Sequence, residues 1–336
     1  MSPKNLNILV NLPPTFFTVP QLKSRFQRLA KLGTVRKRSF NAPDEIIKDL
    51  MWANAVVMWS WPVVTAEMLE KCPALGFMGQ INTTQRTAKA CIAKKVAISE
   101  ARHCWSPAVA EMALTLMLAG LRKTSAYHVA MKAGTEKWVG DFPADIDPME
   151  RELTGAAVGI VGFGRIGQRL SELLKPFNVT LRVFDPYLPK PVAAHYGVKP
   201  AALSDVLRNS DVVVLCAANT EETNHLVGAK QVAMLRKNAV LVNVGRSSLI
   251  DMKALEARVR KGELTAMLDV FDKEPLEADS PLRSMNGVFC TPHRAGGLLS
   301  SVQRALDMLI GDLELNLKKN KRLYEVTEKM LPCFPE

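Results

Sequence analysis

The stretch VGIVGFGRIGQRLSELL, Val158–Leu174, decides how the rest of the chain is read. It opens with small and β-branched apolar residues, the composition of a buried strand. It closes on apolar residues at helical spacing. Between the two lie Gly162, Gly164 and Gly167, in the order GxGxxG. The first glycine suits a tight strand-to-helix turn, the second a backbone that approaches a pyrophosphate, the third close helix–strand packing. The phosphates then meet the N–H groups at the helix N-terminus. The next apolar run, TLRVFDP, ends at Asp185, eighteen residues beyond Gly167. A carboxylate there accepts the adenosine ribose hydroxyls and repels a 2′-phosphate. The stretch predicts a nicotinamide dinucleotide site, with NAD(H) preferred over NADP(H). The bland alternative is a glycine-rich turn that binds nothing. Strand, helix and distal acid occurring together count against it.

Outward from this turn, strand-like and helix-like segments alternate. Downstream, TLRVFDP, VVVLCAA, AVLVNVG, TAMLDVF and GVFCTP continue the pattern of AVGIVGFG. Upstream, NILVNL, AVVMWSW, LGFMG and VAISEA are separated by QLKSRFQRLAKL, PDEIIKDLMW and TAEMLEKC. The alternation predicts two doubly wound parallel sheets with helices on their faces. The run SPAVAEMALTLMLAGLRKTSAYHVAMKAG reads as one long buried helix, a domain connection or part of a dimer interface. The last helix, SSVQRALDMLIGDLELNLKKN, has no strand after it and is expected to pack on the first domain. That makes the first domain discontinuous, residues 1–104 and 297–336, with residues 105–296 forming the dinucleotide domain.

Composition agrees with a globular chain of two domains: 336 residues, 48% apolar and 23% charged. No apolar run approaches the roughly 20 residues that span a bilayer, so no membrane partner is expected. The start, MSPKNLNILVNLPP, is a weak secretory signal and reads better as a first strand, which points to the cytoplasm. Six scattered cysteines lack any CxxC pair. They suggest reduced, mostly buried thiols, with no disulfide frame and no metal cluster. The net charge of +11 is densest in KSRFQRLAKLGTVRKR, which has seven cations and no acid. Its first part is an amphipathic helix. With no nucleic-acid signature beside it, a solvated basic face is favoured over a nucleic-acid footprint.

Three downstream stretches carry the chemistry. NVGRSSLID places Arg246 after one strand, LDVFDKEPL places Asp269 and Glu274 at the next, and CTPHRAGG places His293 after the last. Ligands of open parallel sheets bind outside the carboxyl ends of the strands. The interconversion of a 2-hydroxy acid and a 2-oxo acid uses three protein groups. A guanidinium holds the carboxylate bidentately and polarises the keto oxygen. An imidazole moves the hydroxyl proton. A carboxylate orients that imidazole and favours its charged form. Arg246, His293 and Glu274 fit these parts in that order.

These motifs, in this order, resemble those of the D-isomer-specific 2-hydroxyacid dehydrogenase family, over nearly the whole chain and most strongly from Ala156 to Gly297. The resemblance implies two Rossmann-like domains with the active site in the cleft between them. It implies a small 2-oxo or 2-hydroxy acid substrate and a homodimer through the NAD-binding domain. It makes Arg246 a substrate-binding residue and Glu274 and His293 the acid/base pair. Asp269 becomes a cofactor-side contact, and Arg165 and Ile166 meet the pyrophosphate. Val244 and Ala217 lie in loops beside the cofactor. Gly79 and Gln80, in GFMGQINTTQ, become backbone donors to the substrate carboxylate. The chain departs from the family at Cys216-Ala217-Ala218, where His-x-Pro is frequent, at Ser247, where glycine is usual, and at Arg294, where an apolar residue is usual. Trp59, Trp61 and Trp105 are either core residues or neighbours of a bulky substrate tail. Glu274 counts against a formate dehydrogenase, and the end at Glu336 against the longer phosphoglycerate dehydrogenases. A dinucleotide-sensing corepressor or scaffold on the same fold is the alternative from another class.

Overall fold

The computed structural model describes residues 6–334. The chain divides into two compact units, one running to Trp105 and resuming at Leu298, the other Ser106–Gly297. In the first unit, strands β1 (Leu6–Asn11), β2 (Gly33–Arg38), β3 (Ala55–Met58), β4 (Phe77–Gln80) and β5 (Ala97–Glu100) alternate with helices α1 (Lys23–Ala30), α2 (Pro43–Trp52), α3 (Ala66–Glu70) and α4 (Gln85–Ala93). The sheet is parallel throughout, in the order β2-β1-β3-β4-β5. β1, β3 and β4 are buried on both faces, which explains their unbroken apolar runs.

The second unit opens with α5 (Ser106–Leu121) and α6 (Thr124–Ala133). It continues through β6 (Ala157–Val161), α7 (Arg165–Leu174), β7 (Thr180–Phe184), α8 (Lys190–Tyr196), α9 (Leu203–Arg208), β8 (Val212–Leu215), α10 (Ala229–Val232), β9 (Ala239–Asn243), α11 (Met252–Arg260), β10 (Leu264–Leu268) and β11 (Val288–Cys290). Its six parallel strands run β11-β10-β9-β8-β6-β7. The order reverses between β6 and β8, the place where open sheets of this kind admit ligands. The chain then returns to the first unit as α12 (Leu299–Lys319), whose Ala305, Leu306, Leu309, Ile310 and Leu313 join that unit's core.

The fold differs from the sequence reading, or adds to it, at three places. β2 lies in the second part of the basic block, whose first part alone reads as a helix, because an edge strand of Thr34, Arg36, Lys37 and Arg38 lacks the apolar signal of a strand. Cations on an edge also hinder pairing with another chain. Second, the basic face stays partly exposed, and four of its arginines are paired there. Arg25 pairs with Asp307 at 2.7 Å, Arg28 with Glu314 at 2.7 Å, and Arg36 and Arg38 both with Asp49 at 2.8 Å. Lys37 stands 4.5 Å over the Phe26 ring. Third, the long helix is two. Lys123 adopts a left-handed backbone at φ 48°, and α6 beyond it buries none of its residues.

The helical run Arg102–Leu121 is long and apolar enough to cross a membrane, and 56% of that window is buried inside the fold. Gly120 explains part of this: a Cβ there would lie 2.6 Å from Val240 Cγ1 on β9. Cys72, Cys91, Cys104 and Cys216 are buried free thiols, and Cys290 is half-buried. The side chain of Cys333 lies outside the described residues. Trp59 and Trp105 pack against the first unit's core, with Phe16, Trp61 and Trp105 all within 6 Å of the Trp59 ring (5.6, 5.5 and 5.9 Å).

Candidate active site

The glycine turn joins β6 to α7. Gly162 takes φ 89°, a conformation only glycine adopts without strain. A Cβ on it would lie 2.4 Å from Ala217 Cα, in the loop after β8. Ala217 therefore closes one side of the turn, and Cys216 seals it further by donating from Sγ to Gly162 O at 3.1 Å. Burial pushes the Cys216 thiol up to about 12, so it stays a neutral filler. This accounts for the Cys216-Ala217-Ala218 departure in packing terms. Thr220 and Thr223 brace the rest of that loop, Thr223 Oγ1 donating to Ala218 O at 2.6 Å.

Gly164 is the N-cap of α7, and a Cβ there would meet nothing within 4 Å. The first bond within the helix runs from Gln168 N–H to Gly164 O. The preceding N–H groups, those of Arg165, Ile166 and Gly167, lie in the first turn, where helices present N–H groups to anions. Gly167 is buried, and a Cβ on it would lie 2.6 Å from Gly162 O. Asp185 directly follows β7, beside this turn. Its Oδ2 accepts from Phe163 N–H at 2.8 Å and its Oδ1 from Tyr187 N–H at 2.9 Å. These residues form a cradle that fits a dinucleotide.

At the other side of the sheet, the exits of β9, β10 and β11 carry the polar groups. His293 Nδ1 lies 2.6 Å from Glu274 Oε2. Phe271 N–H donates to Glu274 Oε1 at 3.0 Å, so the carboxylate is oriented before it meets the ring. Burial works against charge at Glu274. The hydrogen bonds from His293 and Phe271 and the positive charges of His293 and Arg246 outweigh it, holding the carboxyl below the ordinary glutamate value. Arg246 is exposed at the exit of β9, with its main chain fixed by Asn243 Nδ2 donating to Arg246 O at 3.0 Å. Val244 is buried next to it and bonds Leu215 O through its N–H at 3.3 Å. Ser247, in place of the usual glycine, opens a short 3₁₀ turn, Ser247–Leu249.

Arg294 is exposed; its N–H serves Asp269, and its side chain lies near Gly297. Asp269, expected beside the cofactor, is fully buried, and its carboxylate is turned to the loop that carries His293. Two participants went unnoticed in the sequence. Thr291 sends its hydroxyl to Asp269 Oδ1 at 2.5 Å, and Phe271 supplies the N–H that aims Glu274. A threonine opening the TPH run was the available sign of the first. A main-chain donor leaves none.

Gly79 and Gln80 belong to the first unit and lie inside β4. They pair with Val57 and Met58 on one side and with Ser99 and Glu100 on the other. The expectation that their backbone N–H groups serve the substrate carboxylate does not fit this placement, since N–H groups of a central strand serve the ladder. Gln80 is buried, with its Oε1 accepting from Thr83 Oγ1 and its Nε2 unpartnered.

Known proteins resemble this chain in sequence and in fold. The model of the D-isomer specific 2-hydroxyacid dehydrogenase NAD binding domain matches residues 114–295. Glyoxylate/hydroxypyruvate reductase B of Shigella flexneri is 31% identical over 304 residues, covering 86% of this chain and 93% of its own. A D-3-phosphoglycerate dehydrogenase of Methanocaldococcus jannaschii is 30% identical over 299 residues, 88% of this chain. The chain spans about half the length (55%) of that relative. A crystal structure of a phosphoglycerate oxidoreductase from Rhizobium etli is similar at a TM-score of 0.81 and 28% identity, over 96% of this chain and 98% of that one. By sequence and by fold, the chain belongs to the D-isomer specific 2-hydroxyacid dehydrogenase family.

Proposed function

We propose that this protein interconverts a small 2-oxo acid and its D-2-hydroxy acid, with NAD(H) as the cofactor. The observation that carries the reading is the 2.6 Å contact between His293 Nδ1 and Glu274 Oε2, beside an exposed Arg246. Bound NADH supplies a hydride to C2 of the oxo acid. Everything else falls to the chain. Arg246 offers two parallel N–H donors to the substrate carboxylate. With Nδ1 committed to Glu274, His293 has Nε2 available to give a proton to the carbonyl oxygen as it becomes a hydroxyl, and to take it back in the reverse direction. Glu274, ionised across the neutral range, holds the ring and stabilises its charged form. The first turn of α7, with Arg165, Ile166 and Gly167, faces the pyrophosphate, and Asp185 takes the ribose hydroxyls. Ala217 and Val244 line the cofactor's path along the sheet.

A panel of 2-oxo acids, including glyoxylate and hydroxypyruvate, read by NADH consumption, tests the reading. No turnover above trace with any of them, while NADH binds and a protein partner is recovered, hands the case to the scaffold alternative. The basic block adds no support to that alternative, because four of its arginines are held in ion pairs within the chain.

Cofactor preference is the finer part of the proposal. Asp185→Ala removes the charge that repels a 2′-phosphate, so the NADPH-to-NADH ratio of kcat/KM is expected to rise about tenfold, roughly 1.4 kcal/mol. An unaltered ratio removes Asp185 from that role.

The reading extends to a homodimer through the second unit. α6 and the segment after it expose the large apolar side chains of Val129 (65%), Trp138 (73%), Val139 (67%) and Phe142 (76%). A second copy of the chain is the proposed cover. Trp138→Ser with Phe142→Ser is expected to halve the mass measured by light scattering, and a dimer that persists overturns this interface. The free, buried thiols suit the reducing cytoplasm, which we propose as its compartment.

A further inference from the structure

Tyr187 stands two residues beyond Asp185 and is 73% exposed. Its N–H donates to Asp185 Oδ1 at 2.9 Å, and its hydroxyl donates to Glu222 Oε2 at 2.5 Å. Glu222 is exposed too, in the 3₁₀ turn Glu221–Thr223 that follows β8. In the sheet, β6 lies between β7 and β8. Neighbouring strands are about 4.8 Å apart, so the two arms meet across a gap of roughly 10 Å. The bond between Tyr187 and Glu222 therefore crosses the exit of β6, where the glycine turn begins and the strand order reverses.

Both arms are anchored at the base and exposed at the tip. Asp185 Oδ2 accepts from Phe163 N–H, which ties the β7 arm to the glycine turn. On the β8 arm, Ala217 backs on to Gly162, and Thr223 Oγ1 accepts from Thr220 N–H at 2.8 Å while donating to Ala218 O. The bond to Glu222, that carboxylate's charge and, more weakly, the charge of Asp185 hold the Tyr187 hydroxyl above its ordinary value, so it remains a donor. The adenosine half of a dinucleotide has to pass between these arms to bring its ribose to Asp185. We infer that Tyr187 and Glu222 form a latch over the adenosine side of the cofactor site, which opens to let the dinucleotide in or out and so sets the rate of cofactor exchange. The latch closes whether or not the cofactor is in place, and it slows entry and exit alike. The inference rests on the proposed cofactor and is independent of the role of His293.

The test follows NADH binding to the whole chain by stopped-flow fluorescence, with release measured in a chase of excess NAD. Tyr187→Phe keeps the ring and removes the donor, and Glu222→Ala removes the acceptor. Both side chains lie at the surface, so neither change opens a cavity. A single exposed hydrogen bond holds the latch shut for most of the time and no more. Each variant is therefore expected to raise the association and release rates together by about fivefold, roughly 1 kcal/mol. The equilibrium affinity stays within about twofold, because a gate alters the path and leaves the end states alone. The double variant exchanges no faster than either single one, since both remove the same bond.

Direct contact with the dinucleotide gives a different pattern. Release alone quickens, affinity falls by the same factor, and the two changes add in the double variant. That result overturns the inference, and so does a change in only one of the two single variants. If the native chain binds no NADH, the proposed cofactor falls and the latch with it. If NADH binds and exchanges at the native rates in all three variants, the latch falls alone.

Discussion

Replacing His293 by alanine is expected to lower kcat by two orders of magnitude or more while NADH still binds. A positioned acid/base contributes about 10²–10⁴-fold, and the contact from Nδ1 to Glu274 leaves Nε2 as the atom that moves the proton. The glycine turn and Asp185 are remote from the ring in the fold, at β6, α7 and β7, so the cofactor cradle survives the change. Because His293 has a left-handed backbone, alanine also disfavours the loop. His293→Asn separates the two effects, since asparagine tolerates that backbone and cannot serve as a general acid. Both variants are expected to be equally inactive. An unchanged kcat in either sinks the assignment of His293.

Glu274→Gln has the second largest expected effect. In the native pair a carboxylate oxygen faces Nδ1 at 2.6 Å. In the variant, the amide oxygen keeps the hydrogen bond from Phe271 N–H and the N–H₂ faces Nδ1, so the ring loses the acceptor that holds it. kcat/KM is expected to fall about a hundredfold in both directions, within the range of a general acid/base contribution, while NADH affinity stays the same. The native glutamate is itself held below its ordinary value by His293, Phe271 N–H and Arg246, so the native pair loses its carboxylate, and the activity that depends on it, only in acid well below neutrality. An unchanged kcat/KM in the variant would remove Glu274 from the proton relay.

The candidate site was largely legible because its parts are local. GxGxxG, the distal Asp185 and the runs holding Arg246, Glu274 and His293 each sit where a strand ends, and strand ends show in the sequence as apolar runs that stop. What escaped notice has a common physical cause. β2 is an edge strand whose polar residues carry no burial signal. The break at Lys123 is a single left-handed residue between two segments of similar composition. LGFMG reads as strand-like, and the strand runs on through Gln80, because pairing on both sides by β3 and β5 overrides glutamine's poor strand preference.

The sequence by itself determined the parallel α/β architecture, the dinucleotide turn and the identity of the three polar groups at the strand exits. Periodicity, glycine spacing and residue chemistry are all local properties of a chain. Only the tertiary structure decided what each charge faces. It committed the arginines of the basic block to Asp49, Asp307 and Glu314, some of them nearly 300 positions away. It also set the carboxylate of Asp269 against the loop of His293. A carboxylate in a sequence has no direction. Burial gives it one, because a charge removed from water must take whichever donors the fold brings to it.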